Sequence, residues 1–229
     1  MHILFEDYYM LVNNKAAGVS TDLQPHGYSS IHQQNIDYLQ EKYPGRKQYY
    51  LQPVHRLDRV ASGVVIFAKT PAALKNISKQ IELRSVEKKY VALVEGNMQN
   101  STQEISHWLF KNNKLKKSII AKPGTKGATE AILRYTLIAA IKNNSLLEVQ
   151  LITGRYHQIR CQLSALGHPI INDTLYGATK MNDSIAIGLH ASSYTFTHPK
   201  SNERMKCAAD IASNDLLSAL PWGDIGYNF

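Results

Sequence analysis

The sequence lacks several features that would assign it to a familiar class. It has two cysteines in 229 residues, Cys161 and Cys207, and their separation fits no metal-binding spacing, so we expect a reducing compartment. No apolar run is long enough to span a bilayer, and Glu6 and Asp7 put acids where a secretory signal would carry bases. These absences favour a cytoplasmic protein.

Nucleotide and metal motifs are also missing. The chain has neither the Gly-x-Gly-x-x-Gly pattern nor the phosphate-loop glycine–lysine pattern, and no third ligand at a credible spacing accompanies His157 and His168. Acids are scarce, with 18 Asp and Glu against 26 Lys and Arg, which gives a net charge of +8. That balance favours anionic partners such as nucleic acid.

The positive charge is concentrated in one segment. Six lysines lie between Lys111 and Lys126 with no acid among them. A run of this kind is most often a solvated hairpin, and contact with an RNA backbone is the alternative interpretation.

The pattern of apolar residues predicts hairpins interleaved with a few helices. Residues 103–122 and 129–153 each predict a hairpin, the second with its turn at Asn143-Asn144. Strands are also predicted over 49–54 and over 185–190 or 193–197, and residues 15–18 are expected in a loop. Helices are expected after Ser30, after Thr70 and over 158–166. Regular strand–helix alternation is missing after the second helix, which argues against a doubly wound parallel sheet. We therefore predict an α+β fold with a mixed, mostly antiparallel sheet and flanking helices, in a single domain over residues 1–229.

The first candidate for chemistry is Asp58, which lies between Arg56 and Arg59 just before the apolar strand 64–67. An acid beside arginines is more often a salt bridge than a nucleophile. A polar loop at the end of a strong strand, however, is held rigidly, and the following Ser62-Gly63 lets the backbone turn tightly or approach a ligand closely. Both interpretations stay open.

Two further segments are candidates. Residues 153–160 form a strand-to-helix junction whose free N–H groups suit an anion, and Arg155 lies at that helix start, where it does not favour the helix itself. Arg155 pairs either with some other acid or with Asp58, whose carboxylate it would keep ionised. Tyr90 in a predicted strand is ordinarily half-buried packing, unless its ring faces the Asp58 carboxylate.

In this order, these segments resemble the RluA-type family of RNA pseudouridine synthases. The segments that carry the resemblance are His55-Arg56-Leu57-Asp58 with Ser62-Gly63, then Lys89 to Gly96, then Thr153-Gly154-Arg155 with His157-Gln158-Ile159-Arg160. The chain departs from the family at Ala61, where threonine is usual, and at Ala16, where proline is common. Neither change removes a charged group.

The resemblance implies a pseudouridine synthase catalytic fold with a central RNA-binding cleft and no cofactor. The expected activity is isomerisation of a uridine in structured ribosomal or transfer RNA. Asp58 would be the catalytic carboxylate, Tyr90 the active-site tyrosine, and Arg155 the arginine that pairs with Asp58. The residues expected to bind substrate are His55, Arg56, Arg59, His157, Ile159 and Arg160.

The family's mechanism leaves alternatives open for Asp58, which could attack the ribose, attack the base, or assist elimination. A non-catalytic RNA-binding module on the same fold is the rival from another class. A glycosidase or nucleosidase is a weaker rival, because it usually needs a second carboxylate as acid. We also expect a monomer without a separate N-terminal RNA-binding domain.

Overall fold

A computed structural model describes residues 2–23, 29–45 and 48–225 of the chain. Its strands and helices in chain order are β1 (His2–Glu6), β2 (Met10–Lys15), α1 (Ile31–Lys42), β3 (Gln52–Pro53), β4 (Ser62–Ala68), α2 (Pro71–Glu82), β5 (Glu87–Glu95), β6 (Thr102–Asn112), β7 (Lys117–Ala121), β8 (Ala128–Ile141), β9 (Asn144–Leu151), α3 (Gln158–Ala165), β10 (Leu189–Thr197), β11 (Arg204–Ala208), α4 (Asp215–Ser218) and α5 (Trp222–Ile225). Short 3₁₀ turns cover Thr174–Tyr176 and Ile211–Ser213.

The chain forms two compact units. Unit 1 consists of the described residues up to 87 together with 191–214, and unit 2 consists of 88–190 with the described residues from 215 on. The expectation of one catalytic domain over the whole chain stays a prediction.

Unit 1 is built on antiparallel strands. β2 pairs with β1 and with β4, β3 also pairs with β4, and β11 pairs with β10. Every residue of β2 and β4 is buried. This burial is expected for the nearly continuous apolar run of β4, whereas β2 ends in the buried polar residues Asn13, Asn14 and Lys15. Met10, Val12, Ile66, Ile77 and Phe196 are fully buried in its core. This core supports the loop that precedes β4.

Unit 2 contains antiparallel strands that pair in the order β5-β9-β8-β6-β7. The hairpins predicted over 103–122 and 129–153 are both present. The second turns at Lys142-Asn143, one residue earlier than the predicted Asn143-Asn144, and Lys142 has a φ of 55°. The α+β class with a mostly antiparallel sheet is therefore confirmed.

The first two helices begin where the sequence predicts. The side chains of Ser30 and Thr70 accept hydrogen bonds from the backbone N–H of Gln33 and Ala73, each at 3.1 Å, and cap α1 and α2. The third helix also begins at the predicted residue, but no side chain caps it. The residue before α3, His157, has a left-handed backbone conformation with a φ of 50°. In the described part of the chain, no helix combines the length and apolar character needed to cross a membrane.

Some predicted bounds were wrong. The strand expected over 49–54 is reduced to Gln52–Pro53, and Lys15, expected in a loop, is the last residue of β2. The final strand, expected over 185–190 or 193–197, runs over Leu189–Thr197.

Candidate active site

The predicted site residues are distributed over both units. His55, Arg56, Asp58 and Arg59 belong to unit 1. Tyr90, Arg155, His157, Ile159 and Arg160 belong to unit 2. The predicted pairing of Asp58 with Arg155 stays a prediction.

The loop that carries Asp58 is fastened through its backbone. The Thr21 hydroxyl accepts from the Leu57 N–H at 3.1 Å and donates to the Leu57 carbonyl at 2.9 Å. The Gly18 N–H donates to the Arg59 carbonyl at 2.7 Å, and the Ala61 N–H donates to the Asp58 carbonyl at 3.1 Å. Asp58 itself is half-buried. A carboxylate on so well-bonded a loop is held in place before any substrate arrives.

Lys15 is the main residue near Asp58 in unit 1 that sequence analysis did not identify. Its side chain is completely buried, and its ammonium donates to the carbonyls of Ala16, Val19 and Ala61 at 2.9, 2.8 and 2.6 Å. Burial lowers the pKa of Lys15 to about 7, while the nearby charge of Asp58 raises it. A buried cation thus fastens the Asp58 loop, and its charge interacts with that of Asp58.

The two arginines beside Asp58 face solvent. The Arg56 guanidinium lies 3.2 Å from the Asp22 carboxylate, with 66% of the arginine side chain and 39% of the aspartate side chain exposed. An exposed pair of this kind contributes about 0–1 kcal/mol. Arg59 is also exposed, and its charge further lowers the pKa of Lys15. Both arginines can therefore be reached by an anionic partner.

His55 and Gly63 have structural surroundings within unit 1. The His55 Nε2 accepts from the Ile66 N–H at 3.3 Å, and its ring stacks on Tyr194 with centroids 4.6 Å apart. A Cβ at Gly63 would lie 2.2 Å from the Ala191 carbonyl oxygen, and Gly63 has a φ of 114°. The glycine thus allows β4 to approach a neighbouring strand, which is the physical reason for it in this fold, rather than a ligand.

In unit 2, the segment that carries Arg155 is fastened by an uncharged side chain. The Gln158 Oε1 accepts from the Arg155 N–H at 2.9 Å and from the Thr153 hydroxyl at 2.8 Å. The Gln158 Nε2 donates to the Ile132 carbonyl at 3.0 Å. The Arg155 Nε donates to the Glu130 carbonyl at 2.9 Å, and the rest of this exposed side chain reaches into solvent. Sequence analysis did not identify Gln158 as a positioning residue, although Thr153 and Arg155 are close to it in the chain; its contact with Ile132 on β8 is long-range.

Tyr90 lies on β5, opposite Val149 of β9, and is 7% exposed. Lys88 lies two residues before it and is buried on the same face of the strand, since successive side chains alternate. Lys89 takes the opposite face and pairs with Glu148 at 3.1 Å. The sequence reasoning assigned no role to Lys88.

Two predicted substrate contacts have other partners. Arg160 forms a two-point ion pair with Asp173 at 2.7 and 2.8 Å, and only 5% and 1% of the two side chains are exposed. The His157 ring stacks on Tyr156 with centroids 3.8 Å apart, and its Nδ1 lies 3.1 Å from the Tyr176 hydroxyl. The predicted substrate roles of Arg160 and His157 stay predictions.

Ile159 is 4% exposed on the first turn of α3, which agrees with an apolar residue that packs beside the Arg155 segment. Among the residues that the structure describes, no group of three or more histidine, cysteine, aspartate or glutamate side chains is placed to hold a metal ion.

The lysine-rich hairpin of β6 and β7 is attached to the Arg155 segment. The Tyr156 hydroxyl donates to the Lys116 carbonyl at 3.2 Å, and the Ser118 hydroxyl donates to the Tyr156 carbonyl. The Lys111 ammonium lies 4.8 Å from the centre of the Tyr156 ring. These contacts fix a basic surface next to Arg155 in unit 2.

A sequence profile of the family described as RNA pseudouridylate synthase matches residues 8–165. The match covers more than half of the chain and includes Asp58, Tyr90 and Arg155. The chain therefore belongs to the RNA pseudouridylate synthase family.

The chain is also similar to individual proteins of this family. The chain is 37% identical over 216 residues to ribosomal large subunit pseudouridine synthase C of Buchnera aphidicola subsp. Baizongia pistaciae (strain Bp). The aligned region covers 91% of this chain and 66% of that protein. It is 34% identical over 231 residues to the protein of the same name in Buchnera aphidicola subsp. Schizaphis graminum (strain Sg). That aligned region covers 96% of this chain and 70% of that protein. The chain thus spans 66% and 70% of the lengths of these relatives.

A solved structure supports the same fold. Human RNA Pseudouridylate Synthase Domain Containing 1 matches with a TM-score of 0.71 and 25% identity over 92% of this chain and 83% of that one. The predicted pseudouridine synthase fold is therefore confirmed.

Proposed function

We propose that this chain isomerises uridine to pseudouridine in RNA. The observation that carries the proposal is the family match over residues 8–165, which includes all three signature segments. The names of the relatives lead us to propose large-subunit ribosomal RNA as the substrate. Transfer RNA is the alternative that the sequence left open.

The reaction breaks the bond between ribose C1′ and N1 of the base, turns the base, and joins C1′ to C5. The C5 proton leaves and N1 gains a proton, so atoms and electrons balance without a redox partner. We propose Asp58 as the catalytic carboxylate, which must be ionised to attack the ribose or the base or to assist elimination. The buried Lys15 ammonium supports this role, since it fastens the loop that carries Asp58 through the Ala61 carbonyl.

We assign Tyr90 to the wall that receives the uracil and Arg155 to electrostatic support of the reacting groups. Both assignments come from the family resemblance. The buried position of Tyr90 and the fastened backbone of Arg155 are consistent with them. The base must leave its stack to react, which costs about a few kcal/mol. Phosphate contacts from the exposed Arg56 and Arg59 can offset that cost.

Release of tritium from RNA labelled at uridine C5 tests the function directly. Purified protein should release tritium from an unmodified large-subunit ribosomal RNA transcript, and the release should stop at a small number of uridines per transcript. A non-catalytic RNA-binding module would bind the transcript and release none. Mapping pseudouridines in cells with and without the gene would then identify the uridine, and pseudouridines confined to transfer RNA would reject the ribosomal assignment.

A further inference from the structure

Lys88 is a buried cation that the proposed mechanism has not used. Its residue is 7% exposed on β5, on the face that also carries Tyr90. The neighbouring Lys89 lies on the other face and has an acidic partner in Glu148. Two adjacent lysines on one strand therefore have different electrostatic surroundings.

Lys88 experiences a second charge of the same sign as its own. The charge of Arg155 acts on Lys88, and a Cβ placed on Gly154 would lie 3.4 Å from the Lys88 Nζ. Within the described residues of unit 2, the Lys88 ammonium has no hydrogen-bond or ion-pair partner. Burial, and then the Arg155 charge, lower the pKa of Lys88 to about 8.

Two cations side by side, one of them buried, are unfavourable unless an anion joins them. Gly154 and Arg155 are both exposed, and Gly154 places no side chain against the buried Lys88 ammonium. An anion that joins the two cations would therefore approach from this side.

We propose that Lys88, together with Arg155, binds a phosphate of the RNA substrate beside the uridine that reacts. This inference rests on the proposed function, because RNA supplies the phosphate. A phosphodiester carries a full negative charge before, during and after the reaction. The contact therefore contributes to substrate binding, and Lys88 acts as a residue that positions RNA.

The test is the affinity for an unmodified large-subunit ribosomal RNA transcript, measured by filter binding at several pH values. Wild-type affinity should be constant up to about pH 8 and should weaken above it, as Lys88 loses its proton. Lys88→Met should bind about tenfold more weakly near neutral pH, and should lack the weakening above pH 8. Lys88→Arg should bind tightly across the whole range, because arginine keeps its charge.

Lys89→Met is the matched control, since it removes a lysine from the opposite face of the same strand. It should keep both the affinity and the pH profile of the wild type. Urea unfolding of each variant separates a loss of binding from a loss of folding. If Lys88→Met does not fold, the Lys88→Arg profile decides, and a profile that still weakens above pH 8 overturns the inference.

Pseudouridine formation is measured on the same samples, so the two proposals can fail separately. A wild type that forms no pseudouridine refutes the proposed function. A wild type that forms it, with a Lys88→Met variant of unchanged affinity and pH profile, refutes only the phosphate contact.

Discussion

Unit 1 and unit 2 each present a charged side chain of the proposed site on a loop, and they fasten that loop by different chemistry. In unit 1 the buried ammonium of Lys15 donates to three backbone carbonyls around the Asp58 loop. In unit 2 the neutral amide of Gln158 accepts from Thr153 and Arg155 and donates to Ile132.

The difference has a consequence for how each loop responds to pH. An ammonium can lose a proton near neutrality when it is buried, and it acts on a nearby carboxylate through its charge. An amide does neither. We therefore expect the Asp58 loop to depend on pH and the Arg155 loop to be insensitive to it.

The largest expected effect is that of Asp58→Asn, which removes the charge from the loop that Lys15 fastens. Turnover should fall by about a thousandfold or more, equivalent to about 4 kcal/mol of barrier. Folding and RNA binding should be largely retained, because the amide has nearly the same shape. Tritium release and filter binding measure the two quantities. A variant that turns over like the wild type would reject Asp58 as the catalytic carboxylate.

Lys15→Met comes next, because it leaves three carbonyls without their buried donor. The free energy of unfolding should fall by about 2–4 kcal/mol, with part of the loss offset because a desolvated charge is removed. Urea unfolding measures it.

The matched control for Lys15→Met is Lys75→Met on α2, where the lysine is exposed in the same unit. That change should stay within about 0.5 kcal/mol of wild type. Equal effects of the two substitutions would show that Lys15 does not fasten the loop.

Gln158→Leu is the corresponding change in unit 2. It should lower the free energy of unfolding by about 1–3 kcal/mol, since the Arg155 N–H and the Ile132 carbonyl lose a partner. Turnover should also fall, with the pH profile of turnover unchanged in shape. The exposed Gln99 offers a control, and Gln99→Leu should leave both quantities near wild type. A profile that shifts with Gln158→Leu would contradict the proposed contrast between the units.

The smallest expected effect is a dependence of the free energy of unfolding on pH. The pKa of Lys15 is about 7 when folded, below its ordinary value of 10.5, so between these values the unfolded chain binds more protons. Lys15 should therefore make the free energy of unfolding rise with pH in this window, by up to about 1.4 kcal/mol per unit. Urea unfolding between about pH 7 and pH 9 should show a shallower rise for Lys15→Met than for wild type. Identical slopes would mean that Lys15 keeps an ordinary pKa.

Much of the fold could be predicted from local patterns in the sequence. The capping side chains of Ser30 and Thr70 and the apolar run of β4 depend on residues close in the chain, so they could be predicted. The signature segments around Asp58 and Arg155 also predicted the family, because they are short and specific.

The sequence could not predict which distant segments would bring partners to the charged side chains. Arg160 has the same formal charge as Arg155 five residues earlier, yet Arg160 is buried against Asp173 whereas Arg155 is exposed. Lys88 and Lys89 are adjacent, and only the pleat of β5 gives them different surroundings.

The sequence by itself determined the α+β class, the helix starts, the hairpins and the segments that define the family, because each follows from spacing or from residues in contact along the chain. Tertiary structure alone decided which cations are buried, and thus that Lys15 fastens the Asp58 loop and that Arg160 does not face solvent. The physical reason is that the free energy of a charge depends on burial and on neighbours that only folding brings together.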